Sequence, residues 1–260
     1  MLLYVVVDDK QVVLNAFYWI RGFPHGYFKG LMRIARYQGL KITFPFNEDP
    51  AFDDVWLRDV YQQYLPKEDN VVIDVGAHMG FFSMKVAKSV KKLLAVEPDP
   101  VNFKFLLYNI QSNKLDEKVA PIKIALGEKH GKIFLDRNAY GYGRSKSTKT
   151  KTDYQSDMWT LDELMTKKGI NNVSLIKIDT EGFELDVLKG SVKTLHSFKP
   201  DLIIAAYHFP TEYLLISKFL RKHGYSVFYY YMPFFLSGGK EIYLYSKAAN
   251  GSQDGSDLLY

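Results

Sequence analysis

From Val71 to about Lys247 the chain alternates short apolar runs with amphipathic stretches, the runs being VVIDV, KLLAVE, APIKIAL, SLIKID, DLIIAAYH, YSVFYYY and EIYLYS. Runs that are apolar at successive positions are buried on both faces, which a parallel sheet covered by helices requires. Little more than PFFLSGGK separates the last two. That is too short for a crossover helix and fits an antiparallel pair. The pattern predicts an α/β chain, doubly wound, with a mostly parallel seven-stranded sheet and an antiparallel edge strand.

Local signals punctuate this pattern. Asp99 before Pro100 is an N-cap with proline at the first helical position, so a helix is expected through NFKFLLYNIQ to near Asn113. Thr160 and Glu163 form a capping-box pattern that starts another helix. Between them NAYGYGRSKSTKTKT has no apolar period and reads as a mobile basic surface loop, either solvated or a flap over the site. The organisation expected is an N-terminal extension over residues 1–65, a principal domain over 66–248 and a flexible tail over 249–260. In the extension, LLYVVV and QVVLNAF suggest a hairpin, and a helix is expected over Asp53 to Tyr64. Phe28, Leu31, Met32 and Ala35 fall at helical spacing with Lys29, Arg33 and Arg36 between them. They predict a basic amphipathic helix that packs on the core or meets a lipid or an acceptor.

At 260 residues and 47% hydrophobic content one sizeable core is expected. With no cysteine, disulfides, thiolate nucleophiles and cysteine-based zinc sites are excluded. MLLYVVVDDK lacks the pattern of a secretory signal and no run is long enough to span a membrane, so a cytoplasmic location is the expectation. A formal charge of +5 suits an anionic partner without demanding one.

The first apolar run leads into VVIDVGAHMG, and Glu97 closes the second run in LLAVEPDP. A strand, a glycine turn and a helix, followed by an acid at the next strand end, read as a nucleotide-cofactor site. Dinucleotide sites use Gly-x-Gly-x-x-Gly so that backbone can touch a pyrophosphate. Here Gly76 and Gly80 are separated by Ala77, His78 and Met79, and that fingerprint is broken. The spacing favours S-adenosylmethionine, which carries no phosphate and offers an ammonium and a carboxylate to Asp74 and the turn amides. His78 is acceptable in a turn at positive φ, as a turn residue or a direct ligand. Glu97 offers two oxygens to the ribose hydroxyls. Ala125-Leu126-Gly127 supplies small and apolar surface for an adenine face.

Three stretches, DVGAHMGFFS at 74–83, AVEPDPVNFKFLLYNI at 95–110 and LIKIDTEGFELDVLKG at 175–190, with ALGEKHG and TLDEL in support, resemble in order and spacing the FkbM family of S-adenosylmethionine-dependent methyltransferases. The resemblance covers roughly residues 70 to 210 and implies a class I methyltransferase (Rossmann-like) fold and, usually, O-methylation of a hydroxyl on a sugar or natural product. It departs at His78, where the family more often has asparagine. The cofactor-binding set expected is Asp74, Gly76, Ala77, His78, Gly80, Phe81, Glu97, Pro98, Leu126 and Asp179.

Methyl transfer from a sulfonium is an in-line displacement that needs an acceptor oxygen held against the methyl carbon and a base for its proton. Ligands of open α/β sheets lie at the carboxyl ends of the strands. There stand Asp179, Glu181 and His208, the candidate catalytic residues. Asp179 is alternatively a helix cap, Glu181 a first-turn acid and His208 a strand-end histidine bonded to a loop. Two acids and a histidine could together ligate a divalent cation, the rival explanation of the three, but their spacing does not demand a metal and none is expected. The acceptor expected bears a hydroxyl, with glycans and lipid-linked compounds in the class. RNA methylation is the alternative enzyme reading, set against the absence of an Asn/Asp-Pro-Pro-aromatic signature. A non-catalytic module that associates with protein or membrane through the Phe28 to Tyr37 helix is a third.

Overall fold

The first part of the chain builds a sheet of its own. Strands β1 (Leu3–Val7), β2 (Lys10–Ala16), β3 (Met32–Tyr37) and β4 (Leu40–Pro45) pair antiparallel in that order. The computed structural model describes residues 3–7, 10–16, 32–37, 39–45, 49–62, 66–136, 146–148, 154–233 and 240–248. The hairpin read from LLYVVV and QVVLNAF is present, with Leu3 opposite Leu14. The amphipathic helix expected from Phe28 to Tyr37 is not: its described part is β3, with Ile34 paired to Val13 on one side and Thr43 on the other. Strand partners on both flanks satisfy the backbone of MRIARY, and this tertiary pairing overrides a helical spacing of four apolar residues. The lipid-facing helix on which the non-catalytic reading rested is lost with it. Residues 28–31 lie outside the described residues.

Helix α1 spans Asp49–Trp56, earlier and shorter than the helix expected over Asp53 to Tyr64. It buries Phe52, Val55 and Trp56. From there β5 (Val71–Val75), α2 (Phe81–Val86), β6 (Lys92–Val96), α3 (Pro100–Ser112) and β7 (Val119–Ile122) follow as strand and helix in alternation. The run APIKIAL breaks at Lys123 and Ile124, and its end forms a separate short strand, β8 (Ala125–Leu126). With β9 (Gly131–Asp136), β10 (Lys146–Thr148) and β11 (Tyr154–Trp159) it makes a small sheet in the order β10-β9-β11-β8. Of the basic loop expected at 138–152, β10 is a strand and the rest lies outside the described residues, as does the tail at 249–260.

The chain continues through α4 (Leu161–Lys167), β12 (Leu175–Ile178), α5 (Glu184–Lys189), α6 (Val192–Phe198), β13 (Asp201–Ala205), α7 (Glu212–Lys222), β14 (Tyr225–Pro233) and β15 (Lys240–Ala248). The principal sheet has seven strands in the order β14-β15-β13-β12-β5-β6-β7. Its strands β13, β12, β5, β6 and β7 are parallel, and β15 runs antiparallel to both β13 and β14. This is the predicted doubly wound sheet with its antiparallel edge, the topology of class I methyltransferases. Both helix signals hold. Asp99 accepts from the amides of Val101 at 2.8 Å and Asn102 at 3.0 Å, and the Thr160 hydroxyl accepts from the Glu163 amide at 3.0 Å.

The first sheet shares a core with the second. Phe44 on β4 stacks on Phe52 of α1 at 4.8 Å and meets Phe81 edge-on at 5.3 Å, so the boundary expected near residue 65 marks a change of sheet within one hydrophobic cluster. The outward edge of β4 is covered by two asparagines four residues apart, Asn109 on α3 and Asn113 at its C-cap. Asn109 accepts from the Thr43 amide at 2.8 Å and donates to its carbonyl at 3.1 Å; Asn113 does the same for Lys41 at 2.7 and 2.8 Å. A carboxamide carries a donor and an acceptor side by side, so each side chain mimics one residue of a further strand. Asn109 also donates to the Met79 carbonyl at 2.9 Å, which ties this edge to the turn after β5.

Candidate active site

Beyond β5 the chain turns through Gly76 (φ 75°), His78 (φ 54°) and Gly80 (φ 89°) before α2 begins. Glycine reaches this left-handed region without the steric cost other residues meet. At Gly76 space is a second reason, since a Cβ there would lie 1.8 Å from the Asp179 carbonyl oxygen. Two strand ends therefore touch backbone to backbone. His78 packs its ring near Phe81, with centroids 5.6 Å apart.

Asp74 is placed differently from the sequence expectation. Fully buried beneath the turn, it accepts from Ser83 Oγ at 2.7 Å and pairs with Lys177 Nζ at 3.1 Å. It does not line the cleft among the strand ends, so a direct grip on a ligand ammonium gives way to a supporting role. Lys177, in the middle of β12, also donates to the Gly76 carbonyl at 2.9 Å and faces the Tyr61 ring at 5.6 Å. Burial opposes its charge, but Asp74 and Asp179 outweigh burial and hold its pKa above the usual lysine value. The buried pair fixes the turn from below.

Glu97 follows β6 and is 5% exposed, on the cleft wall. Its Oε2 accepts from the His78 amide at 2.8 Å and its Oε1 from the Asp99 amide at 2.8 Å. Burial, with Asp99 nearby, pushes its pKa up to about 8 against the lowering effect of these two bonds. Each oxygen keeps a second lone pair, so the carboxylate can still accept two hydroxyls on its open side.

The expected catalytic residues converge. Asp179 follows β12, Glu181 lies in the turn Thr180-Glu181-Gly182, and His208 follows β13. His208 Nε2 is 3.6 Å from Asp179 Oδ1 and 3.5 Å from Glu181 Oε2. Asp179 is not a helix cap, and Glu181 is not a first-turn acid. Helix α5 starts only at Glu184, and Glu181 (φ 58°) and Gly182 (φ 101°) turn left-handed ahead of it. A non-glycine residue at positive φ inside a site is held there by its surroundings. Here the holder is Glu184, whose Oε1 accepts from the Thr180 amide at 2.6 Å, the Thr180 hydroxyl at 3.1 Å and the Gly182 amide at 3.3 Å. His208 Nδ1 lies 3.4 Å from this same oxygen and 3.3 Å from Glu212 Oε2. Burial disfavours an imidazolium there, yet Glu212, Glu184, Asp179 and Glu181 outweigh it and raise the His208 pKa to about 9. A general base needs the neutral imidazole, and the four acids around His208 favour the charged form.

Of the expected residues, Gly76, Ala77, His78, Phe81, Glu97, Pro98, Leu126, Asp179 and Glu181 line one cleft at the carboxyl ends of the strands; Asp74, Gly80 and His208 stand behind its walls. Ile124, Ala125, Leu126 and Leu135 form an apolar wall on the β8 side. The opposite wall is aromatic, with Tyr61, Tyr207 and Tyr243. Tyr61 donates to Asp179 Oδ2 at 2.9 Å, and burial, then Asp179, keeps its hydroxyl protonated by raising its pKa well above the usual value. Sequence reasoning missed Tyr61, Lys177, Glu184 and Glu212. A lysine inside the apolar run LIKID was the available signal for Lys177, because a cation in a buried strand needs a partner. Among the described residues no helix is long and apolar enough to cross a membrane.

A family model described as the methyltransferase FkbM domain matches residues 74–227. The hexuronic acid methyltransferase AglP of Haloferax volcanii is 28% identical over 131 residues, which cover 50% of this chain and 54% of that protein. The tRNA(Phe) (4-demethylwyosine(37)-C(7)) aminocarboxypropyltransferase of Pyrococcus horikoshii is 35% identical over 79 residues, 30% of this chain and 28% of that one. The crystal structure of a methyltransferase FkbM from Methylobacillus flagellatus superposes with a TM-score of 0.56 at 18% identity, covering 75% of this chain and 47% of the other. The chain thus spans about half the length of the first of these relatives, or less for the second.

Proposed function

The chain belongs to the FkbM methyltransferase family, whose methyl donor is S-adenosylmethionine, and from that premise we propose that it methylates a hydroxyl oxygen of a sugar, glycan or small-molecule acceptor. The observation that carries this reading is Glu97. Two backbone amides aim its oxygens at the cleft beside the glycine turn, where a ribose diol can donate to both.

In this reading the amides of the turn from Gly76 to Gly80 receive the methionine carboxylate, and Asp179 faces the ammonium and sulfonium. The adenine lies by Pro98, Phe81 and Leu126. Bound S-adenosylmethionine supplies an electrophilic methyl carbon. The acceptor enters between the tyrosine wall and the turn of Thr180 to Gly182. Glu181, held out by its left-handed backbone, receives the hydroxyl proton, while Tyr61 fixes Asp179 and His208 balances the two acids. A hexuronic acid, the acceptor in the name of the Haloferax relative, is the first compound to try.

Calorimetry with S-adenosylhomocysteine should give one site per chain, and above the Glu97 pKa of about 8, where the carboxylate is ionised, Glu97→Ala should weaken it by about 1.5–3 kcal/mol if two charge-assisted bonds are lost. Absence of binding to the unmodified protein would sink the reading. The tRNA enzyme among the relatives favours RNA as the second acceptor class. Incubation with labelled donor and fractionated extract separates the two, label entering either carbohydrate or RNA.

A further inference from the structure

Asp179, Glu184 and His208 each present a ligand atom within 4.8 Å of the other two. They come from three separate places, the end of β12, the start of α5 and the end of β13. The His208 side chain is 5% exposed and that of Glu184 fully buried. Neither ring nitrogen of His208 reaches good hydrogen-bond geometry with the carboxyls around it, and the carboxyls of Glu184 and Glu212 face each other. Buried polar atoms in this state are costly and rare, and here they gather in one place.

The distances fit coordination better than hydrogen bonding. His208 Nε2 stands 3.6 Å from Asp179 Oδ1 and 3.5 Å from Glu181 Oε2, at or past the limit for a hydrogen bond. Two donors bound to one first-row divalent ion at about 2.0–2.2 Å lie about 2.8–3.6 Å apart at octahedral or tetrahedral angles. Donor chemistry agrees: four carboxyl groups, those of Asp179, Glu181, Glu184 and Glu212, gather about a single imidazole. Glu184 is also prepared for such a role. Three donors hold its Oε1, which leaves Oε2 fixed in direction.

We propose that Asp179, Glu184 and His208 form a binding site for a divalent first-row cation of the Mn2+ or Zn2+ kind. His208 ligates through Nε2. Its Nδ1–H then points to Glu212 Oε2 at 3.3 Å, the outer carboxylate that orients a metal-bound histidine. Mixed carboxylate and imidazole donors suit Mn2+ and Zn2+ better than Mg2+. Asp179 and Glu181 also line the cleft, so the open coordination positions face it. On the methyltransfer reading above, those positions would hold the acceptor hydroxyl and ease its deprotonation. Cation binding itself does not depend on that reading.

The test uses the tag-free full chain, stripped with a chelator, with neither methyl donor nor acceptor present. Mn2+ titration followed by electron paramagnetic resonance should show one bound ion per chain, displaced by Zn2+. Asp179→Asn and His208→Gln should each weaken Mn2+ by about tenfold or more, with folding checked by circular dichroism. Asp179 is partly exposed, so its variant retains the fold if the more buried one does not. No saturable binding of either ion up to millimolar concentration would overturn the proposal, as would unchanged affinity in a folded Asp179→Asn variant. Either result leaves S-adenosylhomocysteine calorimetry to judge the methyltransferase reading separately.

Discussion

Replacing Lys177 with methionine removes a buried ammonium while keeping the length and most of the volume of its side chain. In the native protein that ammonium sits 3.1 Å from Asp74 Oδ1 and 2.9 Å from the Gly76 carbonyl, and Asp74 is fully buried. After the substitution Asp74 keeps only the Ser83 hydroxyl at 2.7 Å as its described partner. Breaking a buried ion pair from one side costs about 3–5 kcal/mol, because the remaining charge is stranded. The expected destabilisation is therefore about 3–5 kcal/mol, a large share of the total for a domain of this size. Urea denaturation should show a lower midpoint with an unchanged slope. In a double-mutant cycle, Asp74→Asn combined with Lys177→Met should lose about 1–3 kcal/mol less than the sum of the single losses. A loss below about 1 kcal/mol for Lys177→Met, or additivity within about 0.5 kcal/mol, would refute the claim that this pair holds the turn.

Two further outcomes are expected. Asn109→Leu leaves the Thr43 amide and carbonyl and the Met79 carbonyl without their described partner, so stability should fall by about 2–5 kcal/mol, with faster hydrogen exchange at Thr43 as the local check. Glu97 has a folded pKa of about 8 against an ordinary value of 4.5, so the native state binds more protons than the unfolded chain between those values. Its contribution to stability without cofactor should therefore decline as pH rises from about 4.5 to about 8, by at most about 1.4 kcal/mol per pH unit. Denaturation across that range should show a slope that Glu97→Gln reduces; an identical slope in the variant would count against the raised pKa.

The parallel sheet was legible because its strands are buried on both faces and write their burial into successive residues, as in VVIDV and DLIIA. Asp99 and Thr160 were legible for a similar reason, since capping is a bond between near neighbours in sequence. What escaped depends on pairing across long separations. MRIARY reads as a helix until β2 and β4 flank it, and APIKIAL reads as one strand until its end leaves for another sheet. The same holds in the site. Glu97 and Asp179 stand at strand ends whose place follows from topology, whereas Glu184 and Glu212 open helices, where an acid is already accounted for by the helix dipole. Only the fold brings them to His208. Lys177 was the exception that sequence could have found, a cation inside an otherwise apolar strand.

Gly76 and the Asp179 carbonyl leave no room between them for even a methyl group. On the proposed reading, the floor beneath the methyl donor and the post beside its acceptor meet backbone to backbone at this joint. An in-line displacement tolerates little misalignment, so rigidity at this seam protects the reaction axis. It also confines where acceptor preference can be altered. On the same reading, re-tailoring this chain for another acceptor falls to side chains around the seam such as Ala51, Asp54 and Tyr207, which line the same cleft.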